Sequence, residues 1–120
     1  MRLKMLESKV QKDILAYLIK NRIYHFRFQA QSNLNGLPDI ICLYKGFFIG
    51  LELKREKGGK PTSLQLRKIK AINDNGGIGV VVKSVEEVDK LFRIIDNHIG
   101  CYGELTYYII KEFKESYEKK

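Results

Sequence analysis

The spacing of apolar residues changes period several times along the chain, and each change marks an element. From Met1 to Asn21, Leu3, Leu6, Val10, Ile14, Tyr17 and Leu18 recur at helical spacing, which predicts an amphipathic helix. Ile23 to Ala30 alternates instead. Ile23, His25, Arg27 and Gln29 share one face and Tyr24, Phe26 and Phe28 the other, the pattern of a half-buried strand. Gln31 to Leu37 is polar and reads as a loop. Ile40 to Tyr44 and Phe47 to Leu53 are β-branched and aromatic enough for strands. They flank Lys45-Gly46, a pair suited to a two-residue hairpin turn. After a basic, glycine-containing loop, Thr62 and Gln65 form a capping box. The helix they open turns Leu66, Ile69 and Ile72 or Ala71 inward and stops at Asn75-Gly76-Gly77. Ile78 to Val82 is a short continuous apolar run, as in a strand covered on both faces. Ser84 and Glu87 then cap a helix whose stripe is Val85, Val88, Leu91, Phe92 and Ile95. Beyond a break at Gly100 to Gly103, Leu105, Tyr108, Ile109 and Phe113 fit a helix, although Thr106 to Ile110 also fits a strand. The Tyr107 to Ile110 cluster is expected to close the core; a dimer surface is the other use for it.

This order, α-β-β-β-α-β-α, predicts an α/β fold with a mixed sheet flanked by helices. The first three strands form an antiparallel meander, and the fourth follows a crossover helix. A chain of 120 residues suits one domain. We divide it into a core, residues 1–98, and a C-terminal extension, residues 99–120, expected to be helical and packed on that core.

The hairpin carries the candidate chemistry. With Lys45 and Gly46 as the turn, opposed residues have numbers that add to 91, so Asp39 faces Glu52. Opposed side chains share a face, and like charges placed so destabilise the pair. The arrangement makes sense if a cation lies between them. A magnesium-type ion takes hard oxygen ligands, usually one or two carboxylates with waters and substrate phosphate. Asp39 and Glu52 supply the carboxylates, and the Leu53 carbonyl offers a third oxygen. Lys54 falls on the same face as Glu52 by the period of two. It would position an attacking water or neutralise charge on a phosphate. Glu7 lies on or beside the buried stripe of the first helix, where an acid needs a partner; Lys4, Gln11 or solvent would serve.

Charge narrows the partner. The net charge is +8, and Lys54 to Lys70 holds seven basic residues against Glu56 alone. A basic strip directly after a metal site suits a polyanion such as nucleic acid. Arg55, Lys57, Lys60, Arg67 and Lys68 are its candidate contacts, with Arg27 a further one. His25 reads as structural or solvated. Cys42 and Cys101 lack metal-ligand spacing and suggest no disulfide framework. No apolar leader or membrane-length run is evident, so a reduced, cytoplasmic protein without a membrane partner is expected.

Pro38-Asp39 followed by Glu52-Leu53-Lys54 resembles the signature of the PD-(D/E)XK nucleases, whose core is restriction-endonuclease-like. Within that superfamily, Gly36-Leu37-Pro38-Asp39 and Gln65 look most like the VRR-NUC (virus-type replication-repair nuclease) domains. Holliday-junction resolvases are next. The resemblance runs from Glu7 to about Ile95 and offers no template for the last segment. It implies metal-dependent phosphodiester hydrolysis, Glu7 as a third carboxylate at the metal, and an active-site role for Gln65 beside its capping one. The expected activity is that of an endonuclease cutting DNA, selective for branched or flapped replication, repair or recombination intermediates. Water is the nucleophile, because no Ser, Cys or Tyr stands beside an evident base. Mg²⁺ is the expected cofactor, with Mn²⁺ able to replace it. The host-cell cytoplasm is the site of action if the gene is a phage's. A Holliday-junction resolvase, which needs two sites and hence a homodimer, is one alternative. A non-catalytic nucleic-acid-binding module of the same fold is the other.

Overall fold

The computed structural model describes the backbone of residues 2–27, 36–55, 57–98 and 102–118, and the side chains of residues 8–27, 36–55, 57–98 and 107–116. The elements run α1 (Arg2–Lys20), β1 (Tyr24–Arg27), β2 (Ile40–Tyr44), β3 (Phe47–Leu53), α2 (Ser63–Asp74), β4 (Ile78–Val82), α3 (Val85–His98) and α4 (Tyr102–Glu118). The sheet order is β1-β2-β3-β4. The first three strands are antiparallel, and β4 lies parallel to β3 after the α2 crossover. Phe28 to Ala30 of the expected first strand, the loop from 31 to 35, Cys101 and the Glu7 side chain lie outside the described residues.

The turn is built as its residues require. Lys45 and Gly46 both take positive φ, +48° and +91°, the pairing that matches the twist of a two-residue hairpin. Tyr44 pairs with Phe47 and Ile40 with Leu51, so the register is the one that opposes Asp39 and Glu52.

Strand periodicity then sorts the two faces. Ile40 and Cys42, Ile49, Leu51 and Leu53, and Val82 point to one side, where Ile14 and Leu18 of α1 and Val88, Phe92 and Ile95 of α3 cover them. Each such aliphatic or aromatic side chain contributes about 1.5–3 kcal/mol on burial. The other face carries Ile41, Gly50, Glu52 and Gly79 and is covered by α2. Gly50 pairs with Gly79 at the contact. A Cβ on Gly50 would lie 2.9 Å from Ile72 Cδ1, and one on Gly79 would lie 3.0 Å from the Ile69 carbonyl. The absence of two side chains thus lets α2 approach the sheet closely.

Two expectations are corrected and one is made specific. Leu66 of α2 is half exposed rather than inward, because only Ile69 and Ile72 lie over the glycine pair. The half-buried first strand buries Ile23, just before β1, and exposes Tyr24 and Phe26, because α2 reaches β3 and β4 but not this edge. α4 is helical as expected, but its described side chains, Tyr107 to Ser116, are all exposed rather than closing the core. Among the described residues no helix is long and apolar enough to cross a membrane.

Candidate active site

Asp39 comes just before β2, held there by a buried Pro38, and Glu52 stands one residue before the end of β3. The Leu53 N–H donates to Asp39 Oδ2 at 2.8 Å, a backbone bond that locks the first carboxylate across the strands. Glu52 is fully buried. Its Oε1 accepts from Gln65 Nε2 at 2.8 Å and lies 3.5 Å from Lys54 Nζ. Its Oε2 is buried with no hydrogen-bond partner. Burial pushes the Glu52 pKa up to about 8. The Asp39 carboxylate nearby adds to the shift, and Lys54 opposes it with less effect.

Gln65 fills both roles read from the sequence. Its N–H donates to Thr62 Oγ1 at 3.1 Å, and its Oε1 accepts from the Thr62 N–H at 2.8 Å, completing the capping box. The other end of the same amide donates to Glu52. The orientation is fixed by chemistry. A flipped amide would set its oxygen against the carboxylate and its NH₂ against the Thr62 N–H. The cap that starts α2, about 1 kcal/mol to the helix, therefore also aims a donor at Glu52, and the glycine contact sets the distance.

These groups line one small cavity of about 180 Å³, formed by Ser8, Gln11, Asp39, Glu52, Leu53, Lys54 and Gln65. Ser8 and Gln11 were missed as site residues by sequence reasoning. Gln11 follows Glu7 by four residues, so the helical period carried the signal. Glu7 lies in α1, and its side chain is outside the described residues. Among the described residues no group of three acidic, His or Cys side chains could hold a metal. The donor set nevertheless fits a hard divalent cation. Two carboxylates converge, one of them with a partnerless buried oxygen, and no His or Cys is among the residues that line the cavity.

The candidate contacts for nucleic acid do not form one strip. Arg27 pairs with Ile40 and so takes the face opposite to Asp39. Arg55 and Lys57 line a separate cavity past the end of β3. Lys68 lies beside Phe48 and Ile72 in an apolar hollow on the α2 side, and Lys60 and Arg67 are exposed. Of the cysteines, Cys42 is core, its thiol pushed up to about 12 by burial, and His25 Nδ1 bonds the Ile23 carbonyl oxygen at 2.7 Å.

No protein-family model matches the sequence, and no curated protein matches it. Solved structures do. A protein described as "VRR_NUC domain" superposes with a TM-score of 0.63 at 26% identity, over 72% of this chain and 94% of its own. A second, "VRR_NUC domain protein", gives 0.60 at 18% identity, over 73% of this chain and 85% of its own, a likeness of fold. The mixed four-stranded sheet with its flanking helices is the restriction-endonuclease-like α/β fold. In fold, this chain is similar to those VRR_NUC domains.

Proposed function

We propose that the protein is a metal-dependent endonuclease that hydrolyses phosphodiester bonds in DNA. The observation that carries the reading is the partnerless, buried Glu52 Oε2 beside the opposed Asp39 carboxylate. A fold does not keep such a pair for stability, since an unpaired buried charge is costly. Asp39, Glu52 and the Leu53 carbonyl would hold Mg²⁺ or Mn²⁺, with Glu7, one turn before Gln11, as a further ligand. What the ion supplies when bound is Lewis-acid polarisation of a phosphoryl oxygen.

The chain's own groups do the rest. The Leu53 N–H fixes one oxygen of Asp39, and Gln65 fixes one oxygen of Glu52, which orients the free oxygens of both. Lys54, its side chain only 15% exposed, places an ammonium in the same cavity. There it orients the attacking water or balances charge as it grows on the phosphate. Water attacks phosphorus and an alcohol of the adjoining sugar leaves with a proton, so no covalent intermediate forms. Arg27, Arg55, Lys57, Lys60, Arg67 and Lys68 are proposed to contact the DNA backbone.

The test is cleavage of flapped, nicked, four-way and plain duplex DNA, and of matching RNA, across a Mg²⁺ or Mn²⁺ titration. We expect metal-dependent cuts in DNA, fastest on branched substrates. Binding without cleavage at every metal concentration would make the protein a binding module and overturn the proposal.

A further inference from the structure

A second and larger cavity, about 460 Å³, opens beside the carboxylate site. Its walls are Lys9, Val10 and Asp13 of α1, Arg55 and Lys57 of the loop after β3, and Lys83, Ser84, Val85 and Glu86 at the start of α3. It adjoins the carboxylate cavity through consecutive residues. Lys54 lines one and Arg55 the other, and α1 gives Ser8 and Gln11 to one and Lys9 and Asp13 to the other. The Lys54 N–H donates to the Val82 carbonyl, so the ends of the parallel strands β3 and β4 deliver Arg55 and Lys83 side by side. Crevices outside the carboxyl ends of parallel strands are where open α/β sheets bind ligands.

The chemistry of the walls points to an anion. Four cationic side chains face two carboxylates, Asp13 and Glu86. Among the described residues, Lys9, Lys57 and Lys83 form no ion pair with either acid. Lys83 is also partly buried, which makes an unneutralised charge less comfortable there. At the start of α3, Ser84 Oγ accepts from the Glu87 N–H and Glu87 Oε1 accepts from the Lys83 N–H. The cap thus occupies those donors and leaves the N–H groups of Val85 and Glu86, which have no partner inside the helix, at the cavity wall. The loop wall is set in place as well. Arg55 donates to the Gly58 carbonyl at 3.3 Å, and the backbone at Gly59 packs so closely on Arg55 that a Cβ would lie 2.7 Å from its carbonyl oxygen.

We propose that this cavity is a phosphate subsite, in which Lys9, Arg55, Lys57, Lys83 and the first amides of α3 hold a second phosphate of the nucleic-acid strand whose scissile phosphate lies at Asp39 and Glu52. The inference rests on the nuclease reading for the word scissile, but not for the subsite itself. The subsite fixes where along the strand the cut falls. The bound group is either a backbone diester or a terminal monoester, which share the same oxygen chemistry.

Binding, not cleavage, tests it, so failure of catalysis and failure of the subsite are separate results. In EDTA, the whole chain is titrated with inorganic phosphate while backbone amides are followed by NMR. The Val85 and Glu86 amides should shift and saturate; amides that do not move overturn the proposal without any variant. Short single-stranded oligonucleotides are then bound to wild type, to Lys9→Gln/Lys57→Gln/Lys83→Gln, and to Lys90→Gln/Lys111→Gln/Lys114→Gln, which removes equal charge elsewhere. The cavity variant should lose about tenfold in affinity, with the slope of log affinity against log salt reduced by about 0.7 for each phosphate that is no longer neutralised. The control should stay near wild type. Equal losses in both variants, or none in the cavity variant, would show a general field and no subsite. A preference for phosphorylated over hydroxyl ends assigns the pocket to a terminal phosphate; equal affinity assigns it to a backbone diester.

Discussion

At its turn the β2–β3 hairpin brings unlike charges together, and at its open end it brings like charges together. Lys45 Nζ lies 2.7 Å from Asp96 Oδ1, which also accepts from the Tyr44 hydroxyl at 2.7 Å. The Tyr44 ring stands edge-on to Phe92, 4.9 Å between centroids. Lys45, and then Tyr44, hold the Asp96 carboxyl below its usual range. At the other end Asp39 and Glu52 share a face, and burial holds Glu52 well above its usual range. The two ends have the same register and nearly the same strand geometry. They differ in what the helices bring. α3 brings a counter-charge to the turn, whereas α2 brings a neutral amide to the open end. One end is arranged to stabilise the hairpin. The other sets two acids against one ammonium, Lys54, and leaves a buried carboxyl oxygen without a partner.

Breaking the open end should have the largest effect. We expect Glu52→Gln and Lys54→Ala each to lower the cleavage rate by at least about 10²-fold, the scale for losing one preorganised electrostatic group. Oligonucleotide affinity in EDTA should not fall for Glu52→Gln, because the change removes a negative charge. Turnover like wild type in either purified variant would separate these residues from the chemistry.

Next in size is the pH dependence of the metal-free protein. Glu52 has a folded pKa raised above its unfolded value, to about 8. Its protonated form therefore stabilises the fold, fully below the unfolded value near pH 4.3, and that contribution is lost as pH rises through the folded value. In EDTA the wild type should lose stability between about pH 5 and pH 8, on the order of a few kcal/mol. Glu52→Gln should be flat over that window, and saturating Mg²⁺ should flatten the wild type, since an ion that binds the ionised pair favours the charged state. Denaturant melts across pH, with and without metal, check both signs.

How much of this was visible in the sequence follows from which forces are local. The hairpin, the α2 capping box, the Ser84 cap and the stripe of α3 were legible because turn glycines, cap pairs and periodicity act within a few residues, although Glu87 reaches back to the Lys83 N–H rather than to that of Ser84. The opposed carboxylates followed from the turn by counting. Gln65 was harder, because a complete local explanation, the cap, hid a tertiary one. The cavity of Lys9, Arg55, Lys57 and Lys83 was not legible, since the parallel pairing of β3 and β4 and the placement of α1 beside their ends unite those positions. The linear basic run suggested one strip, and the fold divides it. Exposure of Tyr24, Phe26 and the α4 aromatics also escaped. Apolar periodicity shows that a face exists but not whether another element of the chain covers it.

A smaller effect sharpens the repulsion at the open end. Opposed like charges on a strand pair cost roughly 0.2–1 kcal/mol. Asp39→Asn removes that repulsion while keeping an oxygen able to accept from the Leu53 N–H. The metal-free variant should be more stable by about that amount above about pH 8, where Glu52 is ionised, and should lose most of the Mg²⁺-dependent rise in melting temperature. A variant that is less stable in EDTA, or that gains as much from Mg²⁺ as wild type, contradicts the opposed pair.

The smallest effect is expected at the turn, and its direction matters more than its size. Asp96→Asn removes the charge that faces Lys45 but leaves an oxygen for the Tyr44 hydroxyl. Lys45 and Asp96 are both exposed, so the pair is screened by salt and weak. The variant should melt slightly below wild type at low ionic strength, and the difference should close in high salt. Mg²⁺ should shift both proteins equally, because the turn lies at the far end of the hairpin from the carboxylates. The pH dependence is opposite to that of Glu52. Asp96 has a lowered folded pKa, so its contribution is present above its unfolded value near pH 3.9 and is lost as pH falls through the folded one. Wild type and Asp96→Asn should therefore converge in acid, where the metal-free open end is at its most stable. A difference that persists in acid or in high salt would mean that Asp96 acts through packing against α3 rather than through charge, and the contrast between the two ends would then rest on Glu52 alone.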